Sequence, residues 1–131
     1  MACYNAAPYV EQAISSALGQ SGVRTEIIVV DDGSSDASPD IVRKLADNYP
    51  DRIRLEHLEH SGPYPARNTG LDKARGDYIA FLDADDWWRE DCLQNLYAGL
   101  QESGADLAYC GWQNVGDHAL GTEPYTPPAY E

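Results

Sequence analysis

Basic residues are scarce in this chain. Nine lysines and arginines stand against 22 aspartates and glutamates, for a formal net charge of −13. Sequence-independent nucleic-acid binding depends on lysine and arginine facing phosphates, so this balance argues against it. It argues equally against docking of this stretch on anionic lipid. Most of the acidity reads as a solvated surface. An acidic protein can still hold an anionic ligand when a divalent cation sits between them.

Cysteine is scarce too. Cys3, Cys92 and Cys110 are odd in number and widely spaced, with no CxxC pair. That pattern fits reduced, buried thiols in a cytosolic protein, and a zinc site wants more ligands closer together. No apolar run approaches the ~20 residues of a membrane span. Met1 leads straight into polar and turn-forming residues, so no signal peptide is expected. Glycine is missing from "CYNAAPYV", where a dinucleotide fold would carry GxGxxG. A calcium EF-hand loop counted from Asp83 fails at its sixth and twelfth places, which hold Trp88 and Gln94.

What is present is a chain of 131 residues with an ordinary hydrophobic fraction of 43%. That length fits one domain spanning 1–131, with a core over 1–113 and an irregular loop or tail over 114–131. Residues 8–20 place Tyr9, Val10, Ala13, Ile14, Ala17 and Leu18 on one helical stripe. "TEIIVV", 25–30, is β-branched and nearly continuous, as a strand covered on both faces should be. Further helices are expected from Pro39 to about Asn48, from about Pro65 to near Gly76, and over 90–103. The last of these places Leu93, Leu96, Tyr97 and Leu100 at helical spacing. Further strands are expected over 52–58, 78–82 and 105–112. This alternation predicts a mostly parallel sheet with helices on its faces.

Two acidic clusters share one position in that scheme. Asp31 and Asp32 follow the strand 25–30, and Asp83 and Asp85 follow 78–82. Both lie at carboxyl ends of parallel strands, the edge where open α/β sheets bind ligands. In an extended chain Asp83 and Asp85 point the same way, and Asp86 points elsewhere, toward the helix that follows. Two convergent carboxylates are hard oxygen ligands suited to Mg²⁺ or Mn²⁺. The competing reading makes these aspartates turn and cap residues. His57 and His60 form an HxxH pair, but strand geometry would send them to opposite faces.

"CYNAAPYVEQAISSALGQ", "EIIVVDDGSSDAS", "ARNTGLDKARGDYIAFLDADDWW" and "LQNLYAGLQESGADL" occur in this order from Met1 to about Gly111. The set resembles the family 2 glycosyltransferases. The resemblance implies the GT-A fold, a Rossmann-like three-layer α/β/α sandwich around a mostly parallel sheet. It implies inverting transfer of a sugar from a nucleoside-diphosphate sugar, UDP-linked first, to an acceptor hydroxyl in bacterial cell-surface glycan or polysaccharide synthesis.

Carried over by position, Ala2 and Tyr4 flank the base. Asp32, with Asp31, accepts a hydrogen bond from it, unless Asp31 caps its own loop. Asp83 approaches the ribose or the metal's water shell, and Ala84 belongs with it to the nucleotide-binding set. Asp85 ligates that metal, Mn²⁺ or Mg²⁺. Arg67 and the start of its helix face phosphate, with a salt bridge to a nearby acid as the competing role. Trp87 and Trp88 are packing residues. The general base is unassigned; Asp117, Glu123 and Glu131 are the tail's acids.

The implied partners are the sugar donor and a glycan, lipid-linked or protein acceptor, with a homodimer left open. The chain would be a donor-binding portion truncated at both ends. It would be cytoplasmic, reaching the cytoplasmic face of a membrane only through segments outside it. Two alternatives stand beside this reading. One is a phosphotransferase of the haloacid-dehalogenase type with Asp83 as nucleophile. The other is a nucleotide-binding module without catalysis.

Overall fold

The computed structural model describes residues 1–115 and 123–126. The chain divides into two compact units, Met1–Leu93 and Gln94–Glu131. The first holds a parallel three-stranded sheet of β1 (Ala2–Cys3), β2 (Ile27–Asp31) and β3 (Ile53–His57), with β2 in the centre. All five residues of β2 are buried, as its unbroken apolar run predicts for a strand covered on both sides.

Alternation along β2 sorts the two faces. Ile27 and Val29 enter a cluster with Val10, Ile14 and Ala17 of α1 (Val10–Leu18) and Val42 of α2 (Ser38–Asn48). Ile28 and Val30 turn the other way and meet Ala66 of α3 (Pro63–Lys73). The result is the α/β/α layering the sequence predicts. The α1 stripe forms where the spacing places it, with Val10, Ala13, Ile14 and Ala17 all buried. The fourth helix, α4 (Cys92–Ser103), has its Leu93 N–H capped by the buried Gln20 side chain at 2.8 Å. No helix among the described residues is long and apolar enough to cross a membrane.

Two predicted strands do not form. Tyr78–Leu82 joins no ladder, although Leu82 and Ala84 are buried in the same cluster as Cys3. A strand exists only through a paired neighbour, and β1 offers an edge two residues long. Among the described residues, 105–112 likewise pair only at Trp112, in one antiparallel bridge to Tyr125. Their alternating apolar pattern leaves Leu107 and Tyr109 exposed. The expectation of buried cysteines holds for Cys3 alone of the three: Cys92 is half-buried, and Cys110 is exposed in the segment 105–112 that forms no strand. Strand β2 also ends one residue later than predicted. Asp31 is therefore its last residue, in register with Cys3 and His57.

Candidate functional site

At the carboxyl ends of the strands the first unit opens a cleft of about 300 Å³. Strand β1 and the turn after it supply Ala2, Cys3, Tyr4 and Asn5. Asp32 comes from just past β2, His60 from the loop after β3, and Pro63 and Arg67 from α3. The segment after Leu82 adds Asp83, Ala84 and Asp85. Seven of the eight site residues predicted from sequence line this one cleft: Ala2, Tyr4, Asp32, Arg67, Asp83, Ala84 and Asp85. Asp31 does not.

Strand alternation explains why two adjacent aspartates part company. Asp31 faces the α1 and α2 side. Its Oδ2 lies 3.4 Å from the Ser34 N–H and 3.5 Å from His57 Nδ1, and its buried Oδ1 has no hydrogen-bond partner among the described residues. Asp32 faces α3. The Ser61 N–H donates to its Oδ1 at 2.7 Å and the Gly62 N–H to its Oδ2 at 2.8 Å. His60 Nδ1 stands 3.1 Å from both its Oδ2 and its main-chain oxygen. The Ser61 N–H does most to hold the Asp32 carboxyl below its usual range. Burial opposes it, and the Gly62 N–H and His60 add to the lowering. The two histidines of the HxxH pair thus attach to different aspartates.

The start of α3 departs from expectation. A helix start that binds phosphate must turn free N–H groups toward it. Here the Ser61 and Gly62 N–H groups are taken by Asp32, and Pro63 and Pro65 have none. The anion at this helix start is a side chain of the protein. Arg67 remains the basic group of the cleft. Its Nη2 donates to Asp83 Oδ1 at 2.6 Å, and this bond raises the guanidinium pKa. The salt bridge weighed for Arg67 is therefore formed, with an acid of the site itself.

The acidic segment is a turn and not the extended run predicted. The Asp86 N–H donates to the Asp83 oxygen at 3.1 Å, which closes a four-residue turn. Asp83 and Asp85 line the cleft all the same. The crowding of carboxylates is relieved unevenly. Arg67 neutralises Asp83, whereas Asp85 is exposed and makes no ion pair among the described residues. Burial, then the charges of Asp85 and Asp83, push the Asp86 carboxyl up. Asp83 and Asp85 present hard carboxylate oxygens to one cleft. That fits the small ligand share Mg²⁺ or Mn²⁺ takes from protein when phosphate and water complete the shell.

Sequence reasoning missed His60, Asn5, Tyr9 and Pro63 as lining residues. The His60 ring stacks on Tyr4, with centroids 4.3 Å apart and planes at 29°. Asn5 adopts a left-handed backbone, φ +49°. Its N–H donates to Ser34 Oγ at 2.9 Å and its Oδ1 accepts the Ser35 N–H at 2.8 Å. The Ala6 N–H donates to Ser38 Oγ and the Ala7 N–H to Asp36 Oδ2. The sequence shows the serine and aspartate density of "DDGSSDAS" and, separately, an asparagine tolerant of that conformation, but nothing local joins the two. Trp88 packs against the core as expected, and Trp87 is half exposed. Of the tail's acids, Glu123 is exposed, and Asp117 and Glu131 lie outside the described residues.

The family model described as "Glycosyl transferase family 2" matches residues 1–128. The succinoglycan biosynthesis protein ExoO of Rhizobium meliloti is 44% identical over 109 residues, 82% of this chain and 30% of that protein. The putative glycosyltransferase EpsH of Bacillus subtilis is 40% identical over 113 residues, 86% of this chain and 32% of that protein. The chain thus spans about a third of the length of these relatives. Among solved structures, S. aureus TarS 1–349 in complex with UDP has a TM-score of 0.78 at 27% identity. It covers 91% of this chain and 36% of its own. The mannosyltransferase PcManGT from Pyrobaculum calidifontis, in complex with GDP-Man and Mn²⁺, has a TM-score of 0.70 at 35% identity. It covers 76% of this chain and 30% of its own. The sheet, the acid-lined cleft and these likenesses agree, and the chain belongs to glycosyl transferase family 2.

Proposed function

We propose that this chain is the donor-binding part of an inverting glycosyltransferase that moves a sugar from a nucleoside-diphosphate sugar, UDP-linked first, to an acceptor hydroxyl in bacterial cell-surface polysaccharide synthesis, with release of the nucleoside diphosphate. The observation that carries this reading is the convergence of Tyr4, Asp32, Arg67, Asp83 and Asp85 on one cleft. They come from four separate segments of the chain. Family membership leaves the phosphotransferase alternative without support. The likeness to TarS, whose structure holds UDP, supports UDP as the first nucleotide to test. The likeness to PcManGT, whose structure holds GDP-Man, makes GDP the second nucleotide to test.

Each residue has work suited to its chemistry. Asp32 is an ionised acceptor with lone pairs left over for a ring N–H of the base. Tyr4 offers a half-exposed aromatic face beside it. Arg67 supplies a planar cation for a diphosphate oxygen, and Asp83 holds that cation in place before the donor arrives. Asp85, with Asp83 beside it, would hold Mn²⁺ or Mg²⁺. When bound, such an ion supplies positive charge that offsets the charge growing on the departing diphosphate. The acceptor is a glycan, a lipid-linked glycan or a protein. Its deprotonation belongs to a carboxylate not assigned among the described residues.

Calorimetry with UDP and Mn²⁺ tests the reading. Binding is expected in the micromolar to millimolar range, roughly −4 to −8 kcal/mol. Asp85→Ala is expected to abolish the metal dependence. Equal UDP affinity with and without chelator would overturn the metal assignment. Because the chain spans a third of its relatives, a binding module without catalysis is the second reading. Product formation from a UDP-sugar separates the two.

A further inference from the structure

Two interactions expected of a nucleobase in this cleft are already made, and a side chain makes both. The His60 ring lies stacked on Tyr4 at 4.3 Å. Its Nδ1 is 3.1 Å from Asp32 Oδ2 and 3.1 Å from the Asp32 main-chain oxygen. Both of those oxygens only accept, so Nδ1 carries the hydrogen and donates it. A flat ring against Tyr4 with one ring N–H on Asp32 is the arrangement that a pyrimidine such as uracil, with its N3–H, would adopt there.

We propose that His60 is an internal surrogate for the base, seated in the base subsite and displaced when a nucleotide enters. The proposal rests on the donor-site reading above and deepens it. The subsite is shaped for a single flat ring with one N–H donor.

The surroundings are built for such an exchange. The imidazole is only lightly held, because 59% of the His60 side chain stays exposed. The loop that carries it runs from β3 to the start of α3 and contains Gly62 at φ +97°. No atom of the described residues stands within 4 Å of where a Gly62 side chain would begin, so there is room beside this backbone. Gly33, at φ +74°, lies under the residue. A side chain there would start 3.0 Å from the His60 N and 3.3 Å from its Cβ. The absence of a side chain at Gly33 is therefore what lets His60 settle into the seat. Asp32 loses no partner for long in the exchange, since one ring N–H replaces another. It keeps the Ser61 and Gly62 N–H groups throughout.

A site that is occupied by its own side chain most of the time binds its ligand more weakly by the fraction of time it is open. Removing the surrogate should strengthen binding. The test is calorimetry of UDP with Mn²⁺ on the wild-type chain and on His60→Ala. The expected result is a Kd at least threefold lower in His60→Ala. UDP should also shift the His60 ring signals in an imidazole-resolved NMR spectrum of the wild type, while Mg²⁺ alone leaves them in place. Equal or weaker UDP binding in His60→Ala, with binding to the wild type intact, overturns the surrogate role. It would make His60 a contact that supports the base. His60→Phe guards against a misfolded variant: it keeps a ring on Tyr4 but has no N–H for Asp32, and it should bind UDP more tightly than the wild type. Absence of UDP binding in the wild type and in both variants would overturn the donor-site reading itself.

Discussion

At Asp32 a single carboxylate takes two peptide N–H groups and an imidazole N–H. These contacts hold its folded-state pKa below the unfolded value. The unfolded state therefore binds the proton more readily. The stabilising contribution is present above the unfolded pKa, about 3.9, and is lost as pH falls through the lowered folded value. Thermal melts of the wild type should fall steeply below about pH 4, and Asp32→Asn should flatten that fall. An unchanged acid limb in Asp32→Asn would show that the carboxylate is not what acid attacks. Asn5 makes a different kind of contribution. Its left-handed backbone and its bond to the Ser35 N–H shape the turn that presents Tyr4. Asn5→Ala should cost about 1–3 kcal/mol in urea titrations. Asn5→Gly loses the same bond but accepts the conformation, so the gap between the two variants measures the backbone strain. Asn5 and His60 escaped the sequence reading for one reason. Their roles depend on segments 28–30 residues away folding against them, and no local pattern encodes that meeting.

The helices were the legible elements. Val10, Ala13, Ile14 and Ala17 recur at helical spacing and are buried as that spacing demands. Strand β2 announced itself by an apolar run covered on both faces. Residues 78–82 and 105–112 carry equally apolar patterns but form no ladder among the described residues, because pairing is a property of the neighbour. Energetics at this scale follow from packing. Ile14 is fully buried between α1 and the sheet, and Ile14→Ala should cost about 2–5 kcal/mol. Gly70 sits inside α3, and a methyl group there would meet Val30 Cγ2 at an ordinary 3.6 Å. Gly70→Ala should stabilise the protein by about 0.5–1 kcal/mol through helix propensity. A loss of stability in that variant would mean that α3 packs more tightly on β2 than this distance allows.

For the whole molecule, the governing quantity is the formal charge of −13. Self-repulsion of that size opposes compaction and is screened by salt. The melting temperature should rise from low salt to about 0.15 M NaCl, with or without divalent ions. A further rise specific to Mn²⁺ or Mg²⁺, absent in Asp85→Ala, would report the acidic turn.

The acidic turn is also secured from both sides. Leu82 and Ala84 are buried before and within it. Beyond it, Ser16 Oγ accepts the Trp88 N–H at 3.1 Å, and Gln20 binds the Arg89 oxygen at 2.7 Å. A segment pinned at both ends has no slack to take up before an ion lands. Ion association should thus be a one-step event in a stopped-flow trace, its rate linear in ion concentration and free of any lag.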